Sequence, residues 1–329
     1  MLKSKPEDCR SNEFGLVDAV SLQEDRLSQL RARIEALVAI AAEHGAPVRL
    51  EDVILLLPFS AFRTVPEFAE FLSNDPLLRS RLTLSDQFLV NRERVELLTL
   101  NPERGRMTSW RIAAAQAFVD RLSQSCPWLI IASVSGSTIY RHANPEDDLD
   151  FFLVVGRRRM WVTLLTAFLL ARTERERRKS PPYCFNRTLE DYECIRDLNA
   201  HQEPLVAREA LSMLVLRGER YYASLIAGSD WMRQYFPVLY DARTVSREHG
   251  DVGDEDDNRK GGVHWSFFNG VAFMIVAPYL AAMGLVRNAR LKHQGRFGAQ
   301  FRTVVRLGFC AFESNRYEEL RETYNEVIR

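Results

Sequence analysis

Net charge is the first thing this chain lacks: 44 Lys and Arg residues stand against 44 Asp and Glu among 329. Without a global field, a polyanion would have to be held by a local basic patch. Cysteine is scarce too, five residues scattered as Cys9, Cys126, Cys184, Cys194 and Cys310 with no Cys-x-x-Cys spacing. An odd, dispersed set argues against a disulfide framework and a structural zinc site, and reads as reduced thiols in a cytoplasmic protein. Met1–Phe14 holds Lys3, Lys5, Glu7, Asp8 and Arg10 and no apolar core, so no secretory signal is expected. There is no internal repeat. The acidic, glycine-rich run Ser246–Gly262 lacks the regular Asp-x-Asp-x-Asp-Gly of a calcium loop and reads as a solvated linker. What remains is ordinary for a globular protein: 46% hydrophobic and 27% charged, with length for two or three domains.

The hydrophobic pattern divides the chain into four stretches. In the first, residues 1–103, the start up to about residue 20 reads as polar and frayed. Leu27, Leu30, Ile34, Leu37, Ile40 and Ala41 then recur at helical spacing over Ser21–His44, with Ser21 and Glu24 as a capping box. Pro66–Leu72 predicts a short helix. Phe88–Val90 and Val95–Leu100 bracket Asn91–Arg94 as a hairpin. Helices followed by a hairpin outline a winged-helix-like module, but no basic recognition helix stands out, so DNA binding by it is disfavoured. Residues 104–240 predict a helix over Met107–Ser125, strands over Trp128–Ser135 and Leu149–Val155, and a helix with the basic start Arg157–Arg159. A third strand over Tyr183–Leu189 follows, then helices over Asp197–Arg217 and Glu219–Tyr235. Strand, helix, strand is a crossover unit, and the expected class is α+β, a small mixed sheet with flanking helices. Residues 241–262 form the linker and 263–329 a helical C-terminal part. Within it, Phe267–Val286 carries no charge over twenty residues, long enough to cross a bilayer. Asn269 and Pro278 suit a bilayer poorly, so a buried helix is the favoured reading and membrane contact the alternative.

The most informative stretch is Val134-Ser135-Gly136-Ser137, ten residues of polar loop, then Asp148-Leu149-Asp150 running into Phe151–Val155. Alternation along a strand puts residues i and i+2 on one face, so Asp148 and Asp150 point together while Leu149 and Phe151 point to the core. Two such carboxylates repel unless a cation sits with them, and Mg²⁺ is the usual one. Gly136 has no side chain, so backbone N–H groups can approach phosphate oxygens closely. Ser137 sits where a helix of the loop would begin, its hydroxyl and the nearby N-terminal amides offering donors to phosphate. Arg141 and His142, in the spacer, could bring positive charge there, although a solvated loop is the favoured reading of His142.

This Gly-Ser, spacer, Asp-x-Asp pattern resembles the signature of the DNA polymerase beta nucleotidyltransferase superfamily, and within it the bacterial nucleotidyltransferase-domain proteins. Trp110 and Arg111, Trp161, Cys184-Phe185-Asn186, Glu203-Pro204-Leu205, Tyr222, Trp231 and Pro237 extend the likeness over most of residues 50–240. The resemblance implies a nucleotidyltransferase core over 104–240. It also implies transfer of a nucleoside monophosphate from a nucleoside triphosphate to a hydroxyl, amine or phosphate, with release of pyrophosphate. Asp148 and Asp150 would be catalytic and hold two Mg²⁺ ions, and Gly136, Ser137 and Arg141 the triphosphate. Apart from the resemblance, the basic start Arg157–Arg159 could meet phosphate or acceptor, although a solvated helix start is the favoured reading. The acceptor, whether small molecule, protein or RNA, is encoded in no short motif.

One feature departs from the superfamily, which supplies a third carboxylate, ligand and base, from the strand after the crossover helix. Tyr183–Leu189 has none. Asn186 is the polar residue best placed to be a metal ligand, but an amide accepts no proton at neutral pH. Three consequences follow as alternatives. Glu190 or Asp191 substitutes; the substrate brings its own low-pKa nucleophile; or the chain is a slow or inactive nucleotide-binding or regulatory protein of the same fold.

Overall fold

Helix α1 (Glu13–Glu43) opens the computed structural model, which describes residues 13–43, 45–99, 101–140, 147–176, 180–244, 263–295 and 300–328. The helix begins before Ser21, so that residue does not cap it. No proline interrupts residues 13–46, and a nucleated helix adds a hydrogen bond per residue until something stops it. The stop is Gly45 at φ +71°: its N–H bonds the Ala42 carbonyl at 2.9 Å and the Ala46 N–H bonds that of Ala41 at 3.0 Å. Ile34, Leu37 and Val38 are buried in one apolar cluster with Val53 of α2 (Leu50–Leu55), Phe68 of α3 (Val65–Asn74) and Leu78 of α4 (Pro76–Arg81). A small antiparallel sheet closes this part. Its strands β1 (Val48–Arg49), β2 (Leu82–Ser85) and β3 (Phe88–Asn91) lie in the order β1-β3-β2. The hairpin therefore turns at Asp86-Gln87, not at Asn91–Arg94. Asp86 holds φ +52°, which Asp tolerates and a two-residue hairpin needs, while Arg92–Leu98 winds as a 3₁₀ helix.

The second sheet follows helix α5 (Asn101–Ser125). In chain order come β4 (Leu129–Ser135), β5 (Leu149–Val155), α6 (Met160–Glu176), β6 (Tyr183–Glu190), α7 (Asp191–Ala200), α8 (Pro204–Ser212), β7 (Leu214–Arg217), α9 (Glu219–Ala227) and α10 (Pro237–Thr244). Helix α11 (Val263–His293), β8 (Phe301–Arg306), β9 (Phe309–Ser314) and α12 (Asn315–Ile328) complete the chain. The strand order is β7-β4-β5-β6-β9-β8, and β5–β6, joined through α6, is its parallel pair. The protein is thus α+β. Leu149, Phe151, Leu153 and Val155 of β5 enter an apolar cluster with Phe118 of α5, Trp161 and Leu164 of α6 and Val276 of α11. Phe152 and Val154, on the other face, join the cluster that includes Leu198, Leu205 and Leu211. Cover on both faces is why β5 reads as an almost unbroken apolar run.

Two helical expectations are corrected. Leu214–Arg217 is not the end of a helix but a strand, set beside β4 with Val134 opposite Leu214. The piece after 263 is helical only at α11 and α12, because Phe301–Ser314 folds into a hairpin whose β9 pairs with β6. Both segments are short, rich in β-branched or aromatic residues, and take their state from a strand edge waiting for a partner. The linker Ser246–Gly262 lies outside the described residues, as do residues 1–12. The uncharged segment Phe267–Val286 belongs to α11. Ala272, Val276, Ala277 and Leu280 are buried, but Phe267, Met274, Ile275 and Leu285 are exposed. The buried-helix reading therefore holds for one side of α11 only.

Candidate functional site

Strand β4 ends where β5 begins: the antiparallel register sets Ser135 opposite Asp150 and Val134 opposite Phe151. The chain then leaves the sheet at Gly136, at φ +70°, into the 3₁₀ turn Gly136–Thr138. A side chain at 136 would land on Oδ2 of Asp150, with its Cβ 3.3 Å from Cγ. Gly136 is therefore required twice, for its backbone conformation and for the carboxylate lying against it. Ser137 Oγ donates to Oδ2 of Asp147 at 3.2 Å. The two halves of the motif, separated by a ten-residue spacer in the chain, meet in space.

Burial pushes the Asp150 carboxyl up from 3.8 to about 7; a hydrogen bond from the Cys184 thiol opposes this, and the like charges of Asp148, Glu209 and Asp147 add to it. Asp148 is also raised, by burial first, while Arg287, Arg111 and Arg175 pull it down and Asp147 raises it. The Cys184 thiol is held well above its usual range by burial, then by Asp150 and Asp148. The thiol is hydrogen-bonded to Asp150, the residue set opposite it in the sheet. Behind them Arg111, wholly buried in α5, donates Nη2 to the Asp147 carbonyl at 2.6 Å and Nη1 to that of Asp148 at 3.3 Å. It fixes the main chain at the entry to β5, a positioning role that its place in the sequence likeness left unassigned.

Other expected positions fall differently. Register sets Cys184, not Asn186, opposite Asp150. The next pair is Phe152 with Arg187, so β6 spends three residues where β5 spends two and Asn186 falls in that irregularity. Glu190 sits opposite Val155, at the far end of β5, where it accepts the backbone N–H groups of Arg158, Arg159 and Met160 ahead of α6. Asp191 pairs there with Arg157 at 3.7 Å. Neither strand-end acid reaches Asp150, because seven residues of strand span roughly 20 Å. The same length removes Arg157–Arg159 from the site. Arg159 lies over the rings of Trp128 and Trp265, 5.0 and 5.6 Å from their centroids. Arg141 and His142 lie outside the described residues.

Three contributors carry no local sequence signal: Glu209 of α8, Arg287 of α11 and Tyr140. Glu209, raised chiefly by burial, accepts the Tyr140 hydroxyl at 3.0 Å and adds negative charge near Asp150. Asp147, by contrast, adjoins the motif and could have been named from it. Among the described residues no group of three His, Cys, Asp or Glu side chains could by itself hold a metal. Comparison with protein-family models, curated proteins and solved structures finds no match to this chain.

Proposed function

We propose that this chain is a nucleotidyltransferase of the DNA polymerase beta type, transferring a nucleoside monophosphate from a nucleoside triphosphate to an acceptor and releasing pyrophosphate. The observation that supports it is the contact between Gly136 and Asp150, with Ser137 bonded to Asp147 beside them. These contacts bring the Gly-Ser turn against the acidic start of β5, where β4 ends inside the sheet. The sheet order, with a parallel β5–β6 pair crossed over by α6, agrees with such a core. The order helix, strand, three helices, two strands in residues 13–91, with its β1-β3-β2 sheet, agrees with a winged-helix-like module ahead of it.

The site's chemistry suits Mg²⁺. Asp150 and Asp148 are both raised, first by burial and then by neighbouring carboxylates, Asp148 acting on Asp150 and Asp147 on Asp148, which a divalent cation relieves. Mg²⁺ is commonly held by one or two carboxylates, with water and substrate phosphates completing the shell, so a third protein ligand is not demanded. When bound, the ion offsets charge that builds on the phosphates. The chain's own residues do the rest. The turn at Gly136 and Ser137 offers backbone N–H groups and a hydroxyl to phosphate oxygens. Arg111 holds Asp147 and Asp148 at the mouth of β5. Asp150, at about 7, releases its proton when a cation takes its place.

A second reading rests on Cys184. The residue opposite Asp150 is a thiol held protonated, not a carboxylate, so no strong base is supplied from that strand. Losing such a base costs on the order of 10²–10⁴ in rate. The chain would then be a slow enzyme, one whose acceptor brings its own nucleophile, or a nucleotide-binding regulator. Pyrophosphate release with each ribonucleoside triphosphate, for the wild type and Asp148→Ala, separates the readings. Turnover lost in the variant supports the enzyme. Mg²⁺-dependent nucleotide binding without turnover supports the regulator, and neither binding nor turnover removes both.

A further inference from the structure

Helix α11 runs beside α6 in the same direction. Asn269 Oδ1 accepts the Trp161 N–H at 2.7 Å near the start of both, and the Phe168 and Tyr279 rings meet further along, 6.3 Å between centroids. Near its end the Asn288 side chain brackets the Phe301 backbone, accepting its N–H at 2.9 Å and donating to its carbonyl at 2.7 Å. One side of α11 is thus committed to the protein. The opposite side presents Phe267, Met274 and Leu285 at 69%, 67% and 73% exposure, together with Phe268, Ile275 and Met283. At 100° per residue these positions fall on one arc that holds no charged residue from Phe267 to Val286. So wide an apolar strip facing water marks a binding surface.

Charge decides the occupant. No Asp or Glu occurs from Val263 to Phe312, although the chain as a whole balances its charges, and Arg287, Arg290 and Lys292 follow the apolar run directly. We propose that α11 lies in the plane of a membrane surface containing anionic phospholipid, its apolar arc among the acyl chains and its basic end against the headgroups. It lies in the surface and does not cross it. Crossing would strip Asn269 from the first N–H groups of α6 and pull Ala272, Val276 and Leu280 out of the core. A second copy of the chain fits less well, since the surface carries cations and offers no acid to meet them. Arg287 is turned to the protein, its guanidinium 4.0 Å from the centroid of the Phe301 ring and its charge among those that lower Asp148 of the candidate site, which leaves Arg290 and Lys292 for the headgroups. The proposal stands whether or not that site transfers nucleotides.

The test is flotation of the purified full-length protein with vesicles of phosphatidylcholine alone, and with vesicles in which phosphatidylglycerol replaces part of it, alongside sedimentation without lipid. Two cations, Arg290 and Lys292, near an anionic surface favour binding by roughly 10- to 100-fold. That enrichment on phosphatidylglycerol vesicles, weakened by salt, is expected for the wild type. Ile275→Glu with Met283→Glu, at exposed positions that leave the core untouched, abolishes flotation. Arg290→Glu with Lys292→Glu removes the preference for phosphatidylglycerol. A protein that floats with neither vesicle overturns the proposal. If it also sediments as a dimer that the Ile275→Glu, Met283→Glu pair dissociates, the face belongs to a second copy. Equal flotation with both vesicles overturns the anionic requirement.

Discussion

Replacing Asp150 with asparagine probes the physical basis of the site without any substrate. In the fold its carboxyl is held at about 7, against an ordinary 3.8, and burial is the first cause. A carboxyl with a raised folded pKa stabilises the fold only while protonated. That contribution is full below about 3.8 and is lost as pH rises through about 7. A shift of this size corresponds to about 4 kcal/mol between the acid and alkaline limits, of which about 2–3 kcal/mol falls between pH 5 and pH 8. Asp150→Asn cannot ionise. Urea unfolding of wild type and variant in the presence of a chelator is the assay, and the contributions of titrating groups not coupled to Asp150 cancel in the difference. The variant is expected to gain on the wild type by about 2–3 kcal/mol as pH goes from 5 to 8. Saturating Mg²⁺ at pH 8 should then stabilise the wild type and leave the variant unchanged, because bound cation replaces the proton. A stability difference that does not change between the two pH values would refute the argument that Asp150 is a desolvated carboxylate.

Gly136→Ala forces a side chain into the space of Asp150 at a positive φ and is expected to cost about 1–3 kcal/mol in urea unfolding. A variant as stable as the wild type would show that the turn and the carboxylate are not packed together. Arg111→Met removes two hydrogen bonds from a buried guanidinium to the Asp147 and Asp148 carbonyls; a loss of about 2–4 kcal/mol is expected, with weaker Mg²⁺ binding by calorimetry. Unchanged Mg²⁺ affinity in a folded variant would remove Arg111 from its positioning role. Cys184→Asp restores a carboxylate opposite Asp150 and should raise pyrophosphate release by on the order of 10²-fold, at some cost in stability without Mg²⁺. No gain in rate, in a variant that still folds, would mean that the acceptor supplies its own base.

How far the sequence could be read depends on where the determining contact lies. The strand Leu149–Val155 is legible to the residue because burial on both faces demands an apolar run, and Asp148 and Gly156 bracket it. The glycine and the acid pair are legible because their chemistry is local: a missing side chain, and two charges at strand spacing. Leu214–Arg217 and Phe301–Ser314 are not, since four to six residues carry too little periodicity to separate strand from helix and the deciding partner is a distant edge. α1 went past Ser21 for the opposite reason, that a good cap residue does not start a helix when nothing upstream stops one.

The third ligand position shows the limit most clearly. Alternation counted along Tyr183–Leu189 puts Cys184 and Asn186 on one side, and chemistry then selects the amide. The extra residue in β6 breaks that count: Asp150 faces Cys184, Phe152 faces Arg187, and Asn186 loses its place in the alternation. A bulge leaves no mark in composition, yet it exchanges a potential oxygen ligand for a protonated thiol at the acid pair. After Asp148, the carboxylate whose charge acts most on Asp150 is Glu209, on a helix that strand periodicity never touches. Under the proposed function, the choice between transfer and mere nucleotide binding turns on what deprotonates the acceptor. With a cation on it, as that reading requires, Asp150 would not serve, which places the decision on Cys184 and on the acceptor itself.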